Sequence, residues 1–233
     1  MSHLFKNRCN YNVLNCAHFA NINNIISCLS TCIFPDKITY PINEQQLHIG
    51  PPHFSNLGYA YAKRMLEIHS RTYNEQYNRN YKCIIPVNIY GPYDNFNLED
   101  GHVIPSLIHR CYLAKKNKES FIVKGSGKPL RQFIYSEDLA NLIMIVLEKY
   151  EEREPIILAV DEENTIREAA EYIAECFEMN DLIFDTSFED GQYKKTADNS
   201  KIKNLCDYKF KSLKEGIKES VKWFKENYEI ARK

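Results

Sequence analysis

Glycine is scarce in this chain, 8 in 233 residues, and none form a G-x-x-G-x-x-G loop. Such a loop lets backbone amides approach a pyrophosphate at a helix N-terminus. No apolar run approaches the roughly 18 residues a membrane-spanning helix needs, and the first residues, MSHLFKNRCNYN, lack the apolar core of a signal peptide. Neither sign of charge is in excess. Lys and Arg number 30 against 31 Asp and Glu, a net charge of -1. That balance argues against a nucleic-acid or membrane surface, so any basic patch is local and sized for a small anion. The 8 cysteines contain no Cys-x-x-Cys pair, which disfavours a zinc site. They read as reduced thiols of a cytosolic protein. Tryptophan occurs once, at Trp223, where packing is its expected role.

What is present suffices for a folded core, with 44% of residues hydrophobic and 12% aromatic. The pattern alternates strand and helix. Residues 13–22 read as a weak helix, 25–29 (IISCL) as a buried strand, and 34–57 as a loop rich in Pro, Asn and His. A helix is predicted over 59–76, with Met65, Leu66, Ile68 and His69 inward. A strand follows at 82–90, bent or ended by Pro86. Pro105 fits the first turn of a helix reaching about 116. FIVKG and RQFIY flank a glycine turn at Gly125 and Gly127. Ser136 is the expected N-cap of helix 136–150. Strands at 155–160 and 182–185, and helices at 165–177 and 212–230, complete an α/β chain with a mainly parallel sheet.

Three strings carry chemistry: CLSTCIFP (28–35), GYAYAK (58–63) and EDGHVIP (99–105). Tyr59 and Lys63 are four residues apart and share a helix face. A free phenol, with a pKa of about 10, is a poor acid-base catalyst near neutrality. A neighbouring ammonium is expected to lower it. The phenol can then protonate a carbonyl oxygen as hydride reaches the carbon, with Ser30 orienting the same carbonyl. Tyr-x-x-x-Lys by itself recurs by chance. A serine at a strand end about 30 residues upstream and the strand KCIIPVNIYGP downstream give it context.

The order Ser30, Tyr59, Lys63 and PVNIYGP (86–92) resembles the extended short-chain dehydrogenase/reductases. The strings GPPHFSNLGYAYAKRM, NIYGPYDNFNLEDGHVIPSLIH, RQFIYSEDLA and FEDGQYKKTADNSK are similar, within them, to the GDP-L-fucose synthase family. The similarity runs from about residue 25 to 233. It implies a two-step reaction on GDP-4-keto-6-deoxy-D-mannose: epimerisation of both carbons beside the ketone, then reduction with NADPH. It assigns Cys32 as base and His102 as acid of the first step, and Ser30, Tyr59 and Lys63 to the second. Cofactor contacts fall on Leu29, Lys63, Pro86, Asn88, Ile89 and His102. Substrate contacts fall on Arg110, Arg131 and Asp190, and on Lys124, which stands where the family usually has Trp. A homodimer through helix 59–76 is also implied.

The expected architecture is an incomplete Rossmann-type parallel sheet (1–92 and about 132–160, NADP-binding) plus a smaller α+β substrate-binding domain (93–131 and 161–233). The family's opening strand, glycine loop and next two βα units have no counterpart in these 233 residues. The expectation is that strand 25–29 is a bare apolar edge, that NADPH affinity is low, and that the chain folds poorly alone. A reading from another class is a non-catalytic nucleotide-sugar-binding or dimer-forming fragment. The five intact residues Ser30, Cys32, Tyr59, Lys63 and His102 favour the enzyme.

Overall fold

The computed structural model describes residues 3–191 and 193–233. The chain divides into two compact units. The first comprises 1–87, 139–159 and 197–208; the second comprises 88–138, 160–196 and 209–233.

The first unit holds a parallel sheet of three strands, β1 (Asn24–Cys28), β2 (Asn80–Pro86) and β7 (Ile156–Leu158), in the order β1-β2-β7. Register places Cys28 opposite Ile84 and Pro86 opposite Leu158. Parallel neighbours require a long crossover, supplied here by α2 (Leu57–Tyr77), which packs on β1 and β2. β2 is central and buried almost throughout, which explains its near-continuous apolar reading. Its one charge, Lys82, is buried, and its Nζ donates to the carbonyls of Val146 and Leu147 at 3.0 and 2.7 Å. Those carbonyls belong to the end of α4 (Ser136–Lys149), where a cation is favoured. Among the described strands β1 pairs with β2 alone, so its edge placement is as anticipated.

Several local expectations are revised. The first helix, α1 (His3–Phe19), starts earlier than 13 and stops before 22. It stops because Asn21 turns left-handed (φ 57°) and the Asn21 and Ile22 amides bond back to His18 and Ala17. Leu66 is buried as expected and Ile68 and His69 are half-buried, but Met65 is exposed, and the buried face of α2 also carries Arg64, Glu67, Ser70 and Asn74. Partners meet most of their polar atoms, although Arg64 Nη2 is buried without one. Arg64 Nε donates to the Ile33 carbonyl at 2.7 Å, and Asn74 exchanges two hydrogen bonds with the Tyr81 backbone at 2.7 and 2.9 Å. Ser136 is the first residue of α4, not its cap.

The second unit opens with β3 (Asn88–Tyr90), which runs parallel to β6 (Phe133–Tyr135). β4 (Phe121–Lys124) pairs in parallel with β9 (Leu182–Asp185). β5 (Leu130–Arg131) pairs antiparallel with β8 (Asn164–Thr165). Helices α3 (Val103–Asn117), α5 (Ile166–Cys176) and α7 (Leu213–Glu226) close a core around Phe96, Ile108, Phe121, Ile173, Ile217 and Phe224. Thr165 and Ser212 open α5 and α7 with reciprocal capping boxes to Glu168 and Glu215. Trp223 stacks on Phe96 at 5.8 Å.

The units exchange segments relative to the division drawn from sequence. Residues 88–92 and 132–138 lie in the second unit, because β3 pairs with β6. Residues 197–208, carrying the short helix α6 (Ser200–Leu205), join the first, where α6 packs on β7. No described helix is long and apolar enough to cross a membrane.

Candidate active site

The carboxyl end of the first unit's sheet gathers one group of side chains, at the sheet end where open parallel sheets take ligands. Leu29, buried, extends β1 by donating its amide to the Ile84 carbonyl at 2.8 Å. Ser30 is extended and caps a 3-10 turn over Thr31–Ile33, its Oγ accepting from the Cys32 amide at 3.4 Å. Arg64 holds the far end of that turn through the Ile33 carbonyl. Tyr59, in the first turn of α2, is half-buried and shares a side-chain hydrogen bond with Ser30. Register brings Pro86 to the same sheet end.

Lys63 behaves otherwise than the sequence implies. Its Nζ donates to the Cys28 carbonyl at 2.6 Å and lies 5.8 Å from the centre of the Tyr59 ring. The Tyr59 phenol is raised above its ordinary pKa, chiefly by burial, then by the thiols of Cys32 and Cys28. The Ser30 hydrogen bond opposes this. The net shift is opposite to the lowering expected from a neighbouring ammonium, because loss of water around the phenol outweighs it and the Lys63 ammonium is engaged by a backbone carbonyl. The neutral, proton-bearing phenol is therefore the resting form at neutral pH. Burial also raises the Cys28 thiol, with Lys63 working against it.

The second unit carries the remaining residues around two cavities. Asn88 and Ile89 of β3 and His102, the exposed N-cap residue of α3, line a cavity of about 260 Å³ with Arg131 and Phe133. Gly101 lets the chain turn into His102, because a Cβ there would lie 2.3 Å from the Asn97 carbonyl oxygen. Asp94, whose carboxyl is raised by burial, is electrostatically coupled to His102.

Arg110, Lys124, Arg131 and Asp190 line a neighbouring cavity of about 290 Å³. Arg110 Nη2 is steadied by the Leu98 carbonyl at 2.8 Å, and Arg131 Nη1 by the Leu130 carbonyl at 2.7 Å. Lys124 Nζ lies 4.6 Å from the Phe188 ring centre. Asp190 accepts from the Ser126 amide at 2.8 Å and hydroxyl at 2.6 Å, which holds its carboxyl below the usual range. Three cations face two carboxylates, Glu189 and Asp190. That excess suits an anion, and the paired guanidinium groups suit phosphate oxygens.

The structure thus brings Leu29, Ser30, Cys32, Tyr59, Lys63 and Pro86 together in the first unit. It brings Asn88, Ile89 and His102 together in the second, with the four substrate-side residues around the adjoining cavity and Arg131 lining both. Sequence reasoning missed Cys28 and Arg64. Their partners lie 35 and 31 residues away, and no local pattern marks such a contact.

Comparison with known proteins identifies the family. The NAD dependent epimerase/dehydratase family model matches residues 6–160. A GDP-L-fucose synthase of Dictyostelium discoideum is 56% identical over 96% of this chain and 71% of its own length. That of Escherichia coli is 33% identical over 95% and 72%. The crystal structure of a GDP-L-fucose synthetase from Naegleria fowleri bound to NADP superimposes with a TM-score of 0.96 at 48% identity, covering 98% of this chain and 71% of that one. The chain belongs to the NAD dependent epimerase/dehydratase family and, within it, to the GDP-L-fucose synthase family.

Proposed function

We propose that the chain converts GDP-4-keto-6-deoxy-D-mannose to GDP-L-fucose, epimerising the sugar on both sides of its ketone and then reducing that ketone with NADPH. The observation that carries this reading is the half-buried Tyr59 phenol hydrogen-bonded to Ser30, with Lys63 one turn away and Cys32 in the adjoining turn.

The donors at the sheet end fit the nicotinamide half of the cofactor: an ammonium and two hydroxyls suit ribose hydroxyls and a carboxamide. Leu29, Lys63, Pro86, Asn88, Ile89 and His102 would hold it. NADPH, when bound, supplies the hydride. In the first step the ketone acidifies the neighbouring C–H bonds. Cys32 removes such a proton as the base, and His102 supplies one as the acid. Ser30 and the neutral Tyr59 phenol donate hydrogen bonds to the enolate oxygen as charge develops. In the second step Tyr59 gives its proton to the ketone oxygen. Arg110, Arg131 and Lys124 neutralise the diphosphate, and Asp190 accepts from sugar or base hydroxyl and amino groups.

The reading extends to a cytosolic homodimer formed through α2, on the face where Tyr61 and Met65, one turn apart, are exposed. Met65→Glu is expected to shift its mass in light scattering toward the monomer; an unshifted dimer rejects this face.

The test is NADPH oxidation by the purified protein supplied with the 4-keto sugar in deuterated water. GDP-L-fucose carrying solvent deuterium is the expected product. A folded sample that neither oxidises NADPH nor exchanges deuterium overturns the reading.

A further inference from the structure

Ser126 is gripped from two sides. Asp190 accepts hydrogen bonds from its amide and its hydroxyl. On the opposite side its carbonyl accepts from Arg167 Nη2 at 3.1 Å. Arg167 is the second residue of α5. Its own amide donates to the Gly127 carbonyl at 2.9 Å, and the preceding Ile166 amide donates to the Pro129 carbonyl at 3.1 Å. Its guanidinium lies 3.7 Å from the Phe184 ring centre, the geometry of a stacked cation.

The two flanking glycines are required for this grip. Gly125 and Gly127 have φ of +90° and +74°, a region that only glycine enters freely. A Cβ at Gly125 would lie 2.6 Å from Asp190 Oδ1. One at Gly127 would lie 2.6 Å from the Phe184 ring and 3.1 Å from Arg167 Cβ. The turn 125–127 is therefore clasped between the loop bearing Asp190 and the start of α5. Lys124, Gly127 and Asp190, on that turn and loop, line the cationic cavity. Arg167 does not.

We propose that Arg167 is a positioning residue for this cavity: through Ser126 it fixes Asp190 and Lys124 where a nucleoside-diphosphate ligand meets them. The inference rests on the reading of the cavity as the seat of the GDP group. A flexible lysine at 167 keeps the charge but cannot both stack flat on Phe184 and reach the Ser126 carbonyl. Charge and geometry are thereby separable.

The experiment is calorimetric titration of the intact chain with GDP, beside thermal unfolding, for the unaltered protein, R167A, R167K, D190N and R167A/D190N. R167A is expected to bind GDP at least tenfold more weakly. R167K should lose several-fold while unfolding at an unchanged temperature, which a purely electrostatic role does not produce. The double variant should bind little worse than the weaker single variant, because both residues act through Ser126 without touching each other. If R167A does not fold, R167K alone decides. Affinity unchanged in the arginine variants, or multiplicative losses in the double variant, overturns the positioning role. Failure of the folded, unaltered chain to bind GDP removes the cavity assignment as well. Normal binding by the unaltered chain and R167K alike sinks this inference and leaves that assignment standing.

Discussion

Lys63 ties α2 to the last residue of β1, its Nζ donating to the Cys28 carbonyl at 2.6 Å. One residue further along α2, Arg64 holds the carbonyl of Ile33. Two successive side chains thus bracket the segment 28–33 that carries Ser30 and Cys32. The helix supplies the phenol and also fixes the turn that faces it.

Tyr59→Phe removes the proton that reduction requires and keeps the ring. NADPH oxidation should fall by about 10²–10⁴-fold. Deuterium exchange into the sugar should survive in part, since Ser30 still faces the enolate oxygen. Mass spectrometry of the recovered sugar nucleotide separates the two steps, and equal loss of both contradicts the division of roles.

Cys32→Ala acts on the other step. Exchange should stop first, and reduction should fail for want of the epimerised ketone. His102→Gln should slow delivery of the returning proton, leaving an incompletely epimerised sugar. A Cys32→Ala protein that still incorporates deuterium at both carbons excludes the thiol as the base.

Alkaline pH should weaken the fold before it ionises the core. Burial pushes the Cys83 and Cys111 thiols and the Tyr150 phenol up to about 12. In the unfolded chain these groups ionise near their ordinary values, about 8.5 for Cys and about 10 for Tyr. Over that interval the folded state binds more protons than the unfolded one, so stability falls as pH rises. Their contribution is complete below about pH 8.5 and is lost on approach to pH 12. Denaturant melts from pH 7 to 11 should show the decline, and Cys111→Ala should flatten part of it. Stability rising with pH above 9 would falsify this account.

Phe224 anchors the second unit, fully buried and stacked on Phe96 at 4.4 Å. Phe224→Ala should lose about 3–5 kcal/mol by leaving a cavity among aromatic rings. A urea midpoint within error of the unaltered protein would show that this core closes around the gap.

The sequence by itself determined the order of strands and helices, because apolar periodicity, Pro86 and the glycines at 125 and 127 are local signals. It also marked the residues that carry chemistry, because Tyr59–Lys63 and the strings around Ser30, Cys32 and His102 are short and contiguous. Tertiary structure alone decided their state. Lys63 is engaged by a carbonyl 35 residues away, and burial beside two thiols raises Tyr59 where a neighbouring ammonium implied lowering. It also decided that Arg64 and Glu67 lie inside while Met65 lies outside, and that Arg167 grips a turn 41 residues earlier. The physical reason is the same throughout: desolvation and hydrogen-bond partners depend on which distant segments pack together, and no pattern confined to neighbouring residues records that.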